Sequence, residues 1–182
     1  MTMEDGQIDW FRPYDRALFP LRGMHVSRSL RRTMRRGGFT VSFDRAFTEV
    51  MRCCLRPDAN WISDVFIEVY SQIHWDGWAH SCEVWRDDEL VGGVYGVVIG
   101  SCFCAESMFH RRSDMSKIAL HALIERCREL GFTVFDAQVM TPHLASLGAY
   151  NVPHEEYMQL LRAALGQVTP WTRIAFPSVV AP

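Results

Sequence analysis

Residues 90–109 read LVGGVYGVVIGSCFCAESMF, and what this nearly uncharged stretch requires constrains everything around it. It reads as two β-strands meeting at Gly100-Ser101, a dipeptide suited to a tight hairpin connection. A continuous apolar run without polar alternation belongs to a sheet covered on both faces, so helices must flank it. One acid interrupts the run. Period-two alternation places Glu106 on the strand face of Cys102 and Cys104, where an unpaired carboxylate is costly to bury. Glu106 therefore either lies at the strand end, reaching water or a structural arginine such as Arg111, or points into a pocket.

Working outward, residues 79–85 form a strand and 86–89 its polar turn. Before them, Phe39, Val41 and Phe43 suggest a short strand leading into a helix from about Asp44, with Phe47, Val50, Met51 and Cys54 on its apolar stripe and Pro57 as its stop. Ser63 caps a second helix that turns Val65, Phe66, Val69, Tyr70 and Ile73 inward and ends near Gly77. His74 and His80 read as surface or satisfied histidines. After the hairpin, a helix runs from Ser113 or Asp114 to Leu130, burying Leu120, Leu123, Ile124 and Cys127, and Gly131 supplies its exit. Residues 132–140 are a further strand on which Asp136 and Gln138 share a face with Val134, a second intrusion of polarity into the core that needs partners. A short helical piece over 144–147 and a last helix from Pro153 to about Leu165 complete an α+β arrangement, a mixed sheet flanked by helices.

The chain of 182 residues, 48% hydrophobic, suffices for one domain or a domain with a small appendage. The six cysteines form no C-x-x-C pair and read as reduced, buried thiols of a cytosolic protein, with no spacing for a metal site. No apolar segment suits a leader or a membrane span, so the expected compartment is the cytoplasm, with no membrane partner. Near the start, Trp10 and Phe11 lie in an extended aromatic segment broken by Pro13 and either pack on the body or wall a cleft.

Net charge is −2, yet between Asp15 and Asp44 there is no carboxylate, and Arg16, Arg22, Arg28, Arg31, Arg32, Arg35 and Arg36 all fall there. From Ser27 a short helix ends at Gly37, with Arg28, Arg31, Arg32, Arg35 and Arg36 on one face and Leu30 and Met34 turned away. Like charges at these spacings repel one another, so the stripe is a poor stabiliser and a good match to a phosphate backbone. Nucleic acid is the expected partner.

Several of these motifs occur together in an order that resembles one family. His25-Val26-Ser27-Arg28-Ser29-Leu30, the Asn60-Trp61-Ile62 turn, Ala79-His80-Ser81, the stretch 89–96, Glu106-Ser107-Met108-Phe109, Ser116-Lys117 and the Asp136-x-Gln138 strand followed by His143-Leu144-Ala145-Ser146-Leu147-Gly148-Ala149 resemble the leucyl/phenylalanyl-tRNA–protein transferases. The resemblance implies a GNAT-related, acetyltransferase-like catalytic domain over 39–166, preceded by a short segment 1–38 carrying the tRNA-binding helix and followed by a tail 167–182. It implies transfer of Leu or Phe, with Met as a further candidate, from aminoacyl-tRNA to acceptor proteins beginning with Arg or Lys, creating an N-degron. The enzyme is expected to be monomeric and to need no cofactor or metal. By position, Asp136 and Gln138 match the family's catalytic pair and Glu106 an active-site carboxylate. Trp10, Phe11, Trp61, Tyr70 and Phe103 fall where the aminoacyl-adenosine is lined, and Val94, Leu120, Leu123 and Phe135 where the apolar side-chain pocket forms. The family usually carries a longer segment before Trp10, and a tryptophan pair where this chain has Trp10-Phe11.

The implied chemistry is aminolysis of an activated ester, for which a protein must place an amine against a carbonyl and handle one proton. On this reading Gln138 orients the amine, Asp136 polarises Gln138 and offsets developing positive charge, and Glu106 fixes an amino group. An acetyl-CoA-dependent N-acetyltransferase is the alternative on the same fold, but the join over 110–117 has none of the glycine expected of a pyrophosphate loop. A non-catalytic tRNA-binding module would account for the arginines while leaving Glu106, Asp136 and Gln138 unexplained.

Overall fold

A computed structural model describes residues 12–55 and 62–171, so Trp10, Phe11 and Trp61 lie outside the described residues, as does the tail beyond Trp171. One seven-stranded sheet organises the chain. Its strands are β1 (Asp15–Phe19), β2 (Thr40–Phe43), β3 (Ala79–Arg86), β4 (Glu89–Ile99), β5 (Cys102–His110), β6 (Val134–Gln138) and β7 (Tyr150–Pro153), in the spatial order β2-β3-β4-β5-β6-β1-β7. Every neighbouring pair is antiparallel except β5 and β6, which are parallel and joined through helix α4 (Met115–Glu129). The expected hairpin is β4–β5, turning at Gly100 with φ +59°.

Helices cover both faces, as the apolar run requires. On one, α4 and the buried Leu30 of α1 (Arg28–Arg36) pack against Val91, Val94, Val98, Phe103 and Phe135. On the other, α2 (Phe47–Cys53) and α3 (Asp64–Trp75) cover Ala79, Tyr95 and Phe109, while α6 (His154–Leu165) covers Leu18, Cys102, Cys104 and Val134. Among the described residues no helix is long and apolar enough to cross a membrane.

Three local expectations change. The helix expected from Asp44 begins at Phe47, because Asp44 takes φ +58° and its carboxylate accepts bonds from Ser81 N (3.0 Å) and His80 Nδ1 (2.8 Å). Helix α3 is rotated from the expected stripe: Val65 and Val69 are exposed, and the packed side runs through Phe66, Ile67, Tyr70 and Ile73. Strands β1 and β7 lie in segments whose sequence reads as loop or turn. His74 is satisfied as expected, its Nδ1 bonding Ala79 O at 2.8 Å, whereas His80 is buried and only half satisfied: Nδ1 pairs with Asp44, but Nε2 has no hydrogen-bond partner among the described residues.

Two irregularities in the centre of the sheet place the functional groups. Between β4 and β5, Tyr95 is opposite Ser107 and Gly96 is opposite Ala105, so Glu106 is the extra residue of a β-bulge. Between β5 and β6, pairing runs from Cys102–Val134 only to Cys104–Asp136. Glu106 and Gln138 stand just beyond the point where the ladder ends.

Candidate active site

Strand β6 ends because of what its own last residues do. Asp136 is fully buried, and its Oδ1 accepts the backbone N–H of Gln138 at 2.7 Å, which holds Gln138 at φ +65°. Such a left-handed conformation is strained for a residue with a side chain and persists only where the surrounding structure enforces it. The other Asp136 oxygen, Oδ2, receives Arg16 Nη2 at 2.6 Å, Arg16 Nε at 3.1 Å and the Tyr157 hydroxyl at 2.8 Å. Arg16 comes from β1 and Tyr157 from α6, and the guanidinium carbon sits 4.6 Å over the Tyr157 ring. A buried carboxylate paired and hydrogen-bonded on every side is a rigid element, and removing any one partner leaves an uncompensated group. The bond from Gln138 to Asp136 thus comes from its backbone N–H, and among the described residues no hydrogen bond joins Asp136 to the Gln138 side-chain amide.

The Gln138 side chain crosses the opening between β5 and β6, its Nε2 donating to Ala105 O at 2.8 Å. It also hydrogen-bonds the Glu106 carboxylate. Burial pushes the Glu106 carboxyl above its ordinary range, the Gln138 bond pulls it back, and the Asp136 charge pushes it up again. The positive charge that reaches Glu106 from the described residues is Arg16. Arg111, the structural partner considered from the sequence, instead bonds Leu90 O and lies near Glu49.

Beside this opening lies a pocket of about 520 Å3 lined by Phe19, Val94, Ala105, Glu106, Ser107, Met108, Leu120, Ala137, Thr141, His143 and Leu144. Of the residues expected to shape an apolar pocket, Val94 and Leu120 line it. Leu123, Phe103 and Phe135 are fully buried behind it, with Phe103 stacked on Phe135 at 5.3 Å and Phe135 edge-on to Phe19 at 6.1 Å. Tyr70 packs on the α2–α3 side against Tyr95, its hydroxyl pKa raised by burial and by the Glu106 charge. Sequence reasoning missed Arg16, Tyr157, Phe19, Ser107 and Met108. Arg16 opens the acid-free interval and was a findable partner for Asp136. Tyr157 carries no signal of its own, since a tyrosine in an amphipathic helix reads as packing.

Arg28, Arg31, Arg32, Arg35 and Arg36 are all exposed on α1, and among the described residues none has a carboxylate at ion-pair distance. Ser27 caps the helix through its hydroxyl, and Arg35 and Arg36 fall at the C-terminal turn, where the helix dipole favours cations.

The sequence model of the family described as leucyl/phenylalanyl-tRNA protein transferase matches residues 18–162. Curated proteins named leucyl/phenylalanyl-tRNA–protein transferase are similar over most of their length. That of Herpetosiphon aurantiacus is 53% identical over 163 residues, 89% of this chain and 85% of its own. That of Ruegeria pomeroyi is 50% identical over 161 residues, 88% and 77% of the two chains, and that of Chlorobium limicola 46% over 171 residues, 92% and 88%.

Proposed function

This chain belongs to the leucyl/phenylalanyl-tRNA–protein transferase family and is an aminoacyltransferase, and from that premise we propose that it moves Leu, Phe or Met from aminoacyl-tRNA to the N-terminal Arg or Lys of acceptor proteins. The observation that carries the assignment of roles is the Asp136 clamp, which fixes Gln138 beside Glu106 at the mouth of the apolar pocket. On this reading the aminoacyl side chain enters the pocket between Val94, Met108 and Leu120, and its ester carbonyl lies near the opening between β5 and β6. Gln138 accepts an N–H of the neutral α-amine on its amide oxygen, its Nε2 being held by Ala105 O, and aims the nitrogen lone pair at that carbonyl. Attack gives a tetrahedral centre, which collapses with a new peptide bond as the C–O bond to the terminal ribose breaks and the amine proton passes to the departing hydroxyl. Glu106 draws the cationic acceptor toward the site. Asp136, Arg16 and Tyr157 position Gln138 and are not themselves in reach of the reacting atoms.

The apolar lining supports breadth rather than a single amino acid, because one methylene in such a pocket discriminates by only about 1–3 kcal/mol. The exposed arginines of α1 support tRNA as the donor's carrier. The parallel β5–α4–β6 unit, with its bulge and its parting strands, is in keeping with a GNAT-related core. Labelled Leu, Phe and Met, each supplied on tRNA with an acceptor protein beginning with Arg or Lys, test the reading directly. Gln138→Ala should lower kcat by about a hundredfold or more, the range of losing one positioned proton-handling group, and leave tRNA affinity within about twofold. Equal loss of turnover and tRNA binding would overturn the role given to Gln138.

A further inference from the structure

A second pocket, of about 260 Å3, opens where three elements meet, and Arg36, Gly37, Gly38, Arg86, Arg112 and Asp114 are among its lining. Arg36 closes α1, Arg86 closes β3, and Arg112 lies in the turn between β5 and α4. Arg112 shares Glu89 at 3.2 Å, with both side chains nearly half exposed, while Arg36 and Arg86 have no carboxylate at ion-pair distance among the described residues. The one acid in the lining is already engaged: Asp114 accepts from Lys117 Nζ at 2.9 Å and from Thr33 Oγ1 at 3.0 Å. Three arginines thus line a small cavity with little to neutralise them, and the Arg86 Nη2 stands 4.0 Å from where a Gly38 Cβ would lie.

The backbone is arranged to be approached. Gly37, the C-cap of α1, and Gly38 take φ +65° and +76°, which is what calls for glycine at both, and a Cβ at either would meet nothing closer than 4.0 Å. Their bareness leaves the pocket floor open to a ligand. The start of α4 faces the same space, and Asp114, at φ +70°, gives it no side-chain cap. Its first-turn N–H groups add to the positive potential there.

We propose that this pocket binds a phosphodiester group of the aminoacyl-tRNA, clamped by Arg36, Arg86 and Arg112 over the Gly37-Gly38 backbone. The inference rests on the reading that aminoacyl-tRNA is the donor, and it adds a phosphate seat to the exposed stripe. Planar guanidinium forks match phosphate oxygens in pairs, and a cavity of this size suits one such group. Arg36 is the last residue of the stripe, so the pocket continues it. From there α4 leads to the aminoacyl site: Met115 lines the small pocket and Leu120 the large one, five residues or about 7.5 Å apart along the helix axis. His143, in the lining of that larger pocket, has its pKa lowered first by burial and then by Lys117 and His110 nearby.

Binding of deacylated tRNA to the wild-type protein and to the Arg86→Ala/Arg112→Ala double variant, titrated over ~50 to ~200 mM salt, tests the proposal. The double variant should bind about tenfold more weakly, with the slope of log K against log salt reduced by about 0.7–0.9, the signature of one phosphate fewer neutralised by the protein. Arg86→Lys in place of alanine should recover part of the affinity. The loss of kcat/KM should also be greater with aminoacyl-tRNA than with a 3′-aminoacyl-adenosine, which carries no phosphate. An unchanged slope, or equal losses on the two donors, overturns the phosphate seat and leaves the transferase reading standing. Failure of the wild-type protein to bind tRNA overturns that reading and the seat with it.

Discussion

Asp136 has no exposed surface, and its oxygens take bonds from Arg16, Tyr157 and the Gln138 backbone, so its charge is balanced within the fold rather than turned on a substrate. Glu106 is different: it lines the pocket, borrows only an amide bond from Gln138, and feels Arg16 at longer range. Its carboxyl is held above the ordinary range first by burial, which disfavours the ionised form. If the ionised form draws in the cationic acceptor, kcat/KM should rise with pH along a limb whose midpoint lies above that of a free glutamate, about 4.3. Glu106→Gln should abolish that limb and lower the plateau by about tenfold or more, the scale of one charge-assisted hydrogen bond. The stability sign is opposite. A group whose folded pKa is raised favours the fold fully only below its unfolded pKa, and that contribution is lost as pH rises through the folded value. At pH 7 the Glu106→Gln protein should therefore melt no lower than wild type, and higher if the carboxylate is the strained partner. A pH–rate profile and a thermal melt at pH 7 check both directions, and a lowered melting temperature would mean that Glu106 is structural.

The hairpin β4–β5 was legible because an uncharged run with a Gly-Ser break has few other ways to fold, and its turn is held by a distant element. Ser101 N donates to Ala164 O at 2.9 Å, at the end of α6. At Gly100, φ is +59° and a Cβ would overlap that same carbonyl oxygen, which as backbone cannot swing aside. At Gly131 φ is +81° with nothing within 4 Å. Gly131→Ala should cost about 1 kcal/mol, the cost of the left-handed backbone alone, whereas Gly100→Ala should cost about 2–4 kcal/mol because overpacking is added. Urea denaturation of the two variants separates the terms, and equal losses would show that α6 moves away freely. What was not legible at this scale has the same physical origin. Strand β1 is a five-residue piece with two charges, and β7 is four residues long; β1 exists because it pairs with β6, and β7 because it pairs with β1, not because of local pattern. Helix α3 carries apolar residues nearly all round, so its periodicity left the buried face open, and packing against Tyr95 and Phe47 selected Ile67 over Val65 and Val69.

Across the whole molecule, a net charge of −2 conceals a separation in which one short helix collects five exposed arginines and the acids lie elsewhere. That helix is tied at two points to the elements that wall the larger pocket. Ahead of it, His25 N donates to Leu147 O at 2.8 Å, just past α5 (Pro142–Ser146), which carries His143 and Leu144 into the pocket. Within it, Thr33 Oγ1 donates to Asp114 at 3.0 Å at the start of α4, which carries Leu120. On the proposed function, charges anchored in this way would contribute through geometry as well as through bulk potential, because an RNA gripped by the stripe would be held at a set distance from the proposed site of transfer. Replacing Arg31 and Arg35, which lie outside both pockets, should lower the slope of log K against log salt by about 0.7–0.9 per phosphate released. The loss should fall on KM for aminoacyl-tRNA and shrink as salt rises, with kcat nearly unchanged at saturation. A fall in kcat at saturating donor would instead mean that these arginines orient the acceptor end in the transition state, and it would move the stripe from capture to positioning.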